Sequence, residues 1–404
     1  MFDKLTPAPP DPILGLTEAF EADPRPQKVN LGVGVYQNDE GRTPVLEAVK
    51  AAEAAMLAGE STKNYLPIDG EPEFGKQVEK FLFPRQNVPA SRTAQTPGGT
   101  GALRMAADFL AGISRPRTVW ISAPTWPNHA GICAAAGLPV KSCPYYDPAA
   151  HGLAFEAFAA ALDRIPAGDV VVLHLCCHNP TGFDPTFDQW KVLSEIAARR
   201  GWLPVFDAAY IGLGDGEDAD RAALDPFLEA GLEFLIAVSF SKNFGLYRER
   251  AGALTLVAHT ATAADAAFSR LKQVIRASYS NPPAHGGAIV RIILEDSLLR
   301  DLWRRELAEM RERIHAMRKH LWEGLSSRLP DRDLSFITRQ RGMFSYSGLD
   351  AEEVAWLRAE RAIFMTANGR INVAGLTPSN LVYVCDALAE AFARRADAPR
   401  LHAS

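Results

Sequence analysis

The amino-acid sequence predicts an α/β protein, with a large domain built on a mostly parallel sheet flanked by helices and a smaller α+β domain. Between about residues 97 and 257, short runs rich in branched residues alternate with longer Ala-rich segments of helical period, which is typical of βαβ units. The length of 404 residues exceeds the usual range of one domain. The pattern then changes, beyond the large domain, to strand-like pieces and a last Ala-rich helix.

Five apolar runs are the candidate strands of the large domain, and each is flanked by turn-forming residues. They are RTVWISAP (117–124), DVVVLHLCC (169–177), WLPVFDAAY (202–210), EFLIAVSFS (233–241) and GALTLVA (252–258). Polar residues cluster at their carboxyl ends. These ends meet at one edge of a parallel sheet, which is where such proteins bind ligands.

The region from 297 to about 324 has apolar residues three or four positions apart, which predicts one long amphipathic helix that links the domains. Strand-like pieces follow, DLSFITR, GMFSYSG and GRINVAGL. We expect the loop-rich N-terminal segment to fold back onto this C-terminal part. The predicted boundaries are 45–309 for the large domain, and 1–44 with 310–404 for the small one.

Composition and charge exclude several classes of protein. Hydrophobic residues make up 47% and charged residues 23% of the chain, which argues against a disordered or fibrous protein. The net charge is -5 and the arginines are dispersed, so we expect no nucleic-acid partner. The N-terminal segment does not resemble a secretion signal and no apolar run reaches about 18 residues. We therefore expect no membrane span and a cytoplasmic location.

The cysteines indicate reduced thiols and no metal site. They are odd in number and have no metal-ligand spacing; they are Cys133, Cys143, Cys176, Cys177 and Cys385. We expect the side chains of the adjacent Cys176 and Cys177 to point to opposite faces of a strand.

Lys242 follows the apolar strand EFLIAVSFS directly. A lysine at a strand end is usually a surface residue. Here Ser239 and Ser241 offer hydroxyl donors and Arg250 a bidentate cation, all of which suit a phosphate group. The group therefore suggests that a phosphate-bearing aldehyde binds beside the lysine.

Asp207 ends the strand WLPVFD, with Tyr210 three residues further on. A carboxylate there can keep a pyridine nitrogen protonated, so that the ring withdraws electrons from a carbanion. Taken alone, Asp207 is better explained as a helix cap or as part of a structural ion pair. The glycines of TPGGTGALR (96–104), with Gly99 and Thr100, can present N–H groups to a phosphate, although an ordinary turn also explains them.

Four further residues have side chains that suit a site at the same sheet edge, and each has an ordinary structural explanation when taken alone. In HNPTG, Asn179 can bind a phenolic oxygen, and in TWPNH, Trp126 offers a flat surface for an aromatic cofactor. Arg276 and Arg370 are candidates for bidentate carboxylate binding.

In order, the motifs GGTGALR, TWPNH, HNPTG, DAAY, SFSKNFGLYRER, RASYSNPPAHG and GRINVAG resemble those of the class I aspartate and aromatic aminotransferases, which are fold-type I pyridoxal-phosphate enzymes. The resemblance extends from DPILGL (11–16) to the C-terminal domain. It implies a mostly parallel seven-stranded sheet, pyridoxal 5'-phosphate as cofactor, amino-acid and 2-oxo-acid substrates, and a homodimer with shared active sites.

The resemblance also implies a role for each site residue. Lys242 would form the Schiff base and act as the base, and Asp207, buttressed by His129, would pair with the pyridine nitrogen. Tyr210 and Asn179 would contact the ring hydroxyl and Trp126 would stack on the ring. The phosphate would be held by Gly99, Thr100, Ser239, Ser241 and Arg250, with Tyr65 from the other subunit. The substrate would meet Arg370, Trp126, Asn179, the segment around Gly34, and Arg276 of the other subunit.

The implied reaction is ping-pong transamination between aspartate and 2-oxoglutarate. Where many relatives read D-x-A-Y-Q-G-F, this chain has Ala208 and Ile211 in DAAYIGLG, which alters the floor of the pocket. Transamination of tyrosine and phenylalanine, alone or together with aspartate, therefore stays open. So do another reaction of the same cofactor and a catalytically silent cofactor-binding module.

Overall fold

The computed structural model describes residues 2–7, 14–85, 88–113 and 118–397. The chain divides into two compact units, one formed by 1–43 with 313–404 and the other by 44–312. Part of the motif DPILGL, residues 11–13, and the first residue of the predicted strand 117–124 lie outside the described residues.

The strands are, in chain order, β1 (Val29–Asn30), β2 (Ser91–Pro97), β3 (Val119–Ala123), β4 (Val140–Pro144), β5 (Tyr146–Asp147), β6 (Gly152–Leu153), β7 (Val170–His174), β8 (Leu203–Ala208), β9 (Phe234–Ser239), β10 (Ala251–Val257), β11 (Phe344–Tyr346), β12 (Ile363–Phe364) and β13 (Arg370–Asn372). Short 3-10 turns lie at Phe2–Lys4, Ala222–Leu224 and Val373–Gly375.

The α-helices are, in chain order, α1 (Leu14–Ala22), α2 (Glu47–Gly59), α3 (Pro72–Leu82), α4 (Gly98–Ile113), α5 (Asn128–Ala135), α6 (Phe155–Leu162), α7 (Phe187–Arg200), α8 (Glu217–Arg221), α9 (Asp225–Glu229), α10 (Ala261–Ser278), α11 (Ala284–Glu295), α12 (Ser297–Arg328), α13 (Phe336–Arg339), α14 (Ala351–Arg361) and α15 (Leu381–Asp397).

A seven-stranded sheet in the order β2-β10-β9-β8-β7-β3-β4 is the centre of the unit 44–312. β10 is antiparallel to both of its neighbours, and the pairs β9–β8, β8–β7, β7–β3 and β3–β4 are parallel. The middle strands β7 and β9 are buried along their whole length, because helices cover both faces of such a sheet. The predicted mostly parallel sheet is confirmed.

The five predicted strands are all present with slightly shifted ends, but sequence analysis missed β2 and β4. Both are edge strands, paired on one side only. Their sequences, SRTAQTP and VKSCP, are polar, since an edge strand is only partly covered and carries no continuous apolar run. The segment directly before the glycines of TPGGTGALR is therefore strand β2.

In the unit formed by the two ends of the chain, β1 pairs in parallel with β12, and β11 pairs antiparallel with β13. The prediction that DLSFITR is a strand is wrong, since it contains helix α13. The Asp333 carboxylate accepts the N–H of Ser335 at 2.8 Å, which turns the chain. Phe336 and Ile337 are then both buried, which adjacent residues of a one-sided strand cannot be.

The predicted long helix is confirmed as α12, and the division between the two units falls inside it, after Glu312. Its apolar stripe is buried as the spacing predicted, at Trp303, Leu307, Met310, Ile314, Met317 and Leu321. Burial of a continuous stripe on one face explains why 32 residues form one helix although the sequence is rich in charge.

Candidate active site

Polar side chains of the unit 44–312 converge at one edge of the sheet. The parallel strands β3, β7, β8 and β9 all end there, and the antiparallel strand β10 begins there, since Ala251 pairs with Pro97 and Gly252 with Ser239. Each of these strand ends continues into a segment that sequence analysis had singled out. The sheet topology thus places most of the predicted residues at one edge.

Lys242 lies three residues beyond the end of β9, in the turn that follows. Its side-chain nitrogen Nζ is 4.8 Å from the centre of the Tyr210 ring, which follows β8. The side chain is half-buried, and it is close enough to Asp207 for its charge to lower the pKa of that carboxyl group. An amine, a phenol and a carboxylate therefore share one site.

Asp207, at the carboxyl end of β8, is 8% exposed. Its Oδ2 lies 3.0 Å from Nε2 of His129, at the start of α5. Burial raises the pKa of a carboxyl group, but the hydrogen bond with His129 and the charges nearby outweigh burial, and the pKa of Asp207 is lowered. A carboxylate only accepts hydrogen bonds, so Nε2 of His129 carries a proton.

A chain of hydrogen bonds continues behind His129, and sequence analysis missed it. The Thr125 hydroxyl lies 2.9 Å from Nδ1 of His129 and 2.9 Å from Nε2 of His174. Burial lowers the pKa of His174 well below its usual value, and the neighbouring histidines lower it further, so this imidazole is neutral at pH 7. Thr125 is part of the motif TWPNH, and His174 is a polar residue ending an apolar strand. These two positions in the sequence could have indicated that both residues belong to the site.

His178 is a second buried neutral imidazole, beside the predicted Asn179. Its Nε2 lies 2.8 Å from the Ser122 hydroxyl and its ring stacks on Tyr145 at 3.9 Å between centroids. Burial lowers the pKa of His178 well below its usual value. Asn179 is 5% exposed and precedes a cis proline. The hydrogen bond between His178 and Ser122 thus ties the segment that carries Asn179 to strand β3.

The start of helix α4 forms a cradle that has no room for larger side chains. A Cβ atom on Gly98, where φ is +71°, would lie 2.5 Å from an Arg250 nitrogen, and one on Gly99 would lie 2.9 Å from the Ser239 Cβ. Arg250 Nη1 donates to the Ser241 hydroxyl at 3.2 Å. The cradle therefore combines helix N–H groups, two hydroxyls and a guanidinium, the donors that a phosphate prefers.

Trp126 and Thr100 border this site. The indole of Trp126 meets the His129 ring edge-on at 5.3 Å between centroids, and the same ring holds the Asp207 carboxylate. Thr100 is exposed in the first turn of α4, directly after Gly99. The polar residues at this edge of the sheet thus include a cationic group, Arg250, in the cradle and a carboxylate, Asp207, beside His129.

Four of the predicted site residues belong to segments other than those just described at the sheet edge. Tyr65 is 93% exposed, and Arg276 is exposed in the last turn of α10, where it contacts the Ser280 hydroxyl. Gly34 and Arg370 belong to the unit formed by the chain ends. Their roles stay predictions.

Within that unit, Arg370 is 3% exposed and donates from Nη2 to the Gly32 carbonyl at 2.6 Å. The amide of Asn372, in the same strand, donates to the carbonyls of Val33 and Val35 at 2.8 and 2.7 Å. Asn372, which sequence analysis missed, therefore fixes the backbone on both sides of Gly34. The motif GRINVAG contained it.

The prediction that the side chains of Cys176 and Cys177 point to opposite faces of a strand is wrong. Strand β7 ends at His174 and Cys177 has a φ of +53°, so the two side chains do not alternate across a strand. Their sulfur atoms and an Asp220 carboxylate oxygen lie within 4.8 Å of one another. That carboxylate already accepts three backbone N–H groups, from residues 212, 214 and 215.

Comparison with known proteins agrees with this geometry. The model of the family described as aminotransferase class I and II matches residues 26–388. The chain belongs to the class I and II aminotransferases. The aspartate aminotransferase of Salmonella typhi is 52% identical over 392 residues, which are 96% of this chain and 99% of that protein. The aromatic-amino-acid aminotransferase of Pseudomonas aeruginosa is 44% identical, over 96% of this chain and 98% of that protein.

A solved structure supports the assignment of the fold. The aromatic-amino-acid aminotransferase from Burkholderia pseudomallei, covalently bound to pyridoxal phosphate, has a TM-score of 0.94 and 46% identity, and the match covers 97% of this chain and 99% of that chain. The predicted fold-type I aminotransferase fold is thus confirmed. In the described part of this aminotransferase, no helix combines the length and apolarity needed to cross a membrane.

Proposed function

We propose that this aminotransferase binds pyridoxal 5'-phosphate and transfers amino groups between aspartate and 2-oxoglutarate, giving oxaloacetate and glutamate in a ping-pong reaction. The observation that carries the proposal is the convergence of Lys242, the Asp207–His129 pair and the glycine cradle at one sheet edge. The choice of aspartate is supported by the relative from Salmonella typhi, which is an aspartate aminotransferase.

The residues present fit this cofactor. The cradle of Gly98, Gly99 and Arg250 suits its phosphate, since the missing Cβ atoms let the Arg250 guanidinium and the Ser239 side chain come close to the N-terminal N–H groups of α4. The buried Asp207, kept ionised by its surroundings, suits a protonated pyridine nitrogen. When bound, pyridoxal phosphate withdraws electrons from the substrate carbon as its proton leaves.

The chain supplies the proton transfers and the orientation. Lys242 would hold the cofactor through its amine and, as the general base, would take the Cα proton of the substrate and return it during the transfer. His129 orients the Asp207 carboxylate. Tyr210 and Asn179 would bind the ring hydroxyl of the cofactor, and Trp126 would cover its ring.

We assign the substrate carboxylates to two arginines. Arg370 binds the α-carboxylate, beneath the segment around Gly34. Arg276 binds the distal carboxylate, because a guanidinium and a carboxylate form two parallel hydrogen bonds. A dicarboxylic substrate such as aspartate satisfies both arginines, whereas an aromatic substrate satisfies only Arg370.

We also propose a homodimer with shared active sites. Tyr65 and Arg276 are exposed in the single chain, although their proposed roles require contact with cofactor and substrate. Supply of both residues by the other subunit explains this exposure. The proposed location is the cytoplasm, which is supported by the absence of disulfides among the five cysteines, all in the described part of the chain.

The alternative substrates are tyrosine and phenylalanine. Two observations favour them. The Burkholderia pseudomallei structure is an aromatic-amino-acid aminotransferase. Ile211, one of the two departures from the D-x-A-Y-Q-G-F pattern of many relatives, is fully buried after β8. Aromatic transamination by the same residues needs only that Arg276 moves away from an apolar side chain.

The test compares kcat/KM for aspartate and for phenylalanine, with 2-oxoglutarate as acceptor, in the wild type and in Arg276→Ala. We expect aspartate to be preferred and the substitution to lower its kcat/KM about 10- to 150-fold, as loss of a charge-assisted hydrogen-bond pair of roughly 1.5–3 kcal/mol would do. Phenylalanine should change little. Arg270→Ala, on the same helix, is the matched control.

Other outcomes would contradict the proposal in distinct ways. Preference for phenylalanine that survives Arg276→Ala would identify an aromatic-amino-acid enzyme. Turnover without any 2-oxo-acid acceptor would indicate a different reaction of the cofactor. Cofactor absorbance without turnover would indicate a silent module.

A further inference from the structure

A cationic cavity lies away from the sheet edge just described, within the unit 44–312. Its volume is about 560 Å³, which is in the range of small-molecule sites. One carboxylate, Glu217, and five cationic side chains line it, at Lys80, Arg85, Arg221, Arg300 and Arg304. None of the residues assigned to cofactor or substrate lines it.

Arg221 is the most buried of these cations, with a side chain only 5% exposed. It pairs with Asp218 and, at 3.5 Å, with Glu217. Its Nε atom is buried and has no hydrogen-bond partner among the described residues. A buried guanidinium N–H without a partner costs free energy, which an anion in the cavity would offset.

Arg300, in the first turn of α12, also has a buried Nε atom without a hydrogen-bond partner among the described residues. Its Nη1 donates to the Leu294 carbonyl at 3.3 Å.

Arg304 shares Glu217 with Arg221, at 3.0 Å from Nε. Asp218 also pairs with Arg85, at 3.6 Å, and Asp301 with Arg304, at 4.0 Å. Three carboxylates thus offset part of the charge of the five cations, and positive charge remains in excess at the wall.

We propose that this cavity binds a small anion carrying two or more phosphate groups. Guanidinium groups bind phosphate oxygens through paired hydrogen bonds, and several cations around one cavity favour a ligand that concentrates several negative charges. The apolar part of the wall, formed by Phe81, Phe83, Pro84 and Leu294, accommodates an organic portion of such a ligand.

The probe is inorganic tripolyphosphate, titrated calorimetrically into the enzyme saturated with pyridoxal phosphate, so that the cofactor cradle is filled. We expect one tripolyphosphate per chain and an affinity that falls steeply with salt. Arg300→Gln should weaken the Kd about tenfold or more, as loss of a charge-assisted hydrogen bond does. Lys80→Gln, at the exposed rim, should weaken it less.

Arg199→Gln is the matched control, because it removes an exposed positive charge on α7, which does not line the cavity. It should leave the Kd unchanged. No binding of tripolyphosphate, or equal weakening by all three substitutions, would overturn the proposal. Thermal unfolding with and without tripolyphosphate separates a folding defect of Arg300→Gln from loss of the site, since unchanged Tm without ligand shows an intact fold.

Discussion

Buried side chains behind Asp207 set its charge. The His129 ring is held on one side by Asp207 and on the other by Thr125, which also contacts His174. The fixed ring keeps a proton directed at the carboxylate, because the second nitrogen already has a partner. The hydrogen-bond chain through Thr125 and His174 therefore helps to hold the His129 ring in the orientation that serves Asp207.

The depressed pKa of His174 predicts how stability depends on pH. In the unfolded chain a histidine takes up a proton below about pH 6.5, whereas the folded protein keeps His174 neutral to a much lower pH. The contribution of His174 to the free energy of unfolding is therefore fully present above about pH 6.5. It is lost as the pH drops, by up to roughly 1.4 kcal/mol per pH unit for each such histidine. We expect the Tm of His174→Gln to fall less between pH 7.5 and pH 5 than that of the wild type.

The control for this measurement is His259→Gln, whose histidine side chain is 63% exposed. Its Tm should follow the wild-type pH profile. Equal profiles for all three proteins would show that protonation of His174 does not contribute to acid destabilisation.

Helix α4 connects the sheet to the phosphate cradle. It starts at Gly98, directly after β2, and packs on β9 and β10. Its N-terminal N–H groups are thereby directed at the site of Ser239, Ser241 and Arg250. The position of an element, rather than any one side chain, creates this part of the site.

Gly99→Val is expected to weaken binding of pyridoxal phosphate about tenfold or more, because its Cβ would lie 2.9 Å from that of Ser239 and displace the cradle. Gly112→Ala, at the other end of the same helix, meets nothing within 4 Å. It should keep the affinity and stabilise the helix by about 1 kcal/mol. Cofactor absorbance during titration of the apoenzyme measures both, and equal affinity in Gly99→Val would contradict the assignment.

At the scale of the whole molecule, the proposed dimer predicts complementation between two variants that are each impaired in aspartate transamination. In a mixed dimer of Lys242→Ala and Arg276→Ala chains, one site would carry both substitutions and the other neither. Random reassociation of equal amounts should then restore about a quarter of wild-type aspartate activity. Activity after mixing that stays at the average of the two variants would show that each chain supplies its own Arg276. The separate variants, unfolded and refolded alone, are the controls.

The sequence by itself determined the parallel sheet, the long helix α12 and the residues of the Lys242 and Asp207 motifs. Buried strands must be continuously apolar and a half-buried helix must repeat its apolar residues every three or four positions, so both are visible in one chain segment. Lys242 and Asp207 stood out because polar residues end apolar strands.

Only the tertiary structure decided which of these residues meet. The edge strands β2 and β4 are defined by pairing with distant segments, and their own polar sequences do not show it. The link from Asp207 to His174 passes through His129 and Thr125, which lie far from both along the chain. The close contact of the Cys176 and Cys177 sulfur atoms and the cationic cavity also depend on how the backbone turns and on which segments pack together. Periodicity reports how one segment is buried, whereas contacts between distant segments depend on the packing of the whole sheet.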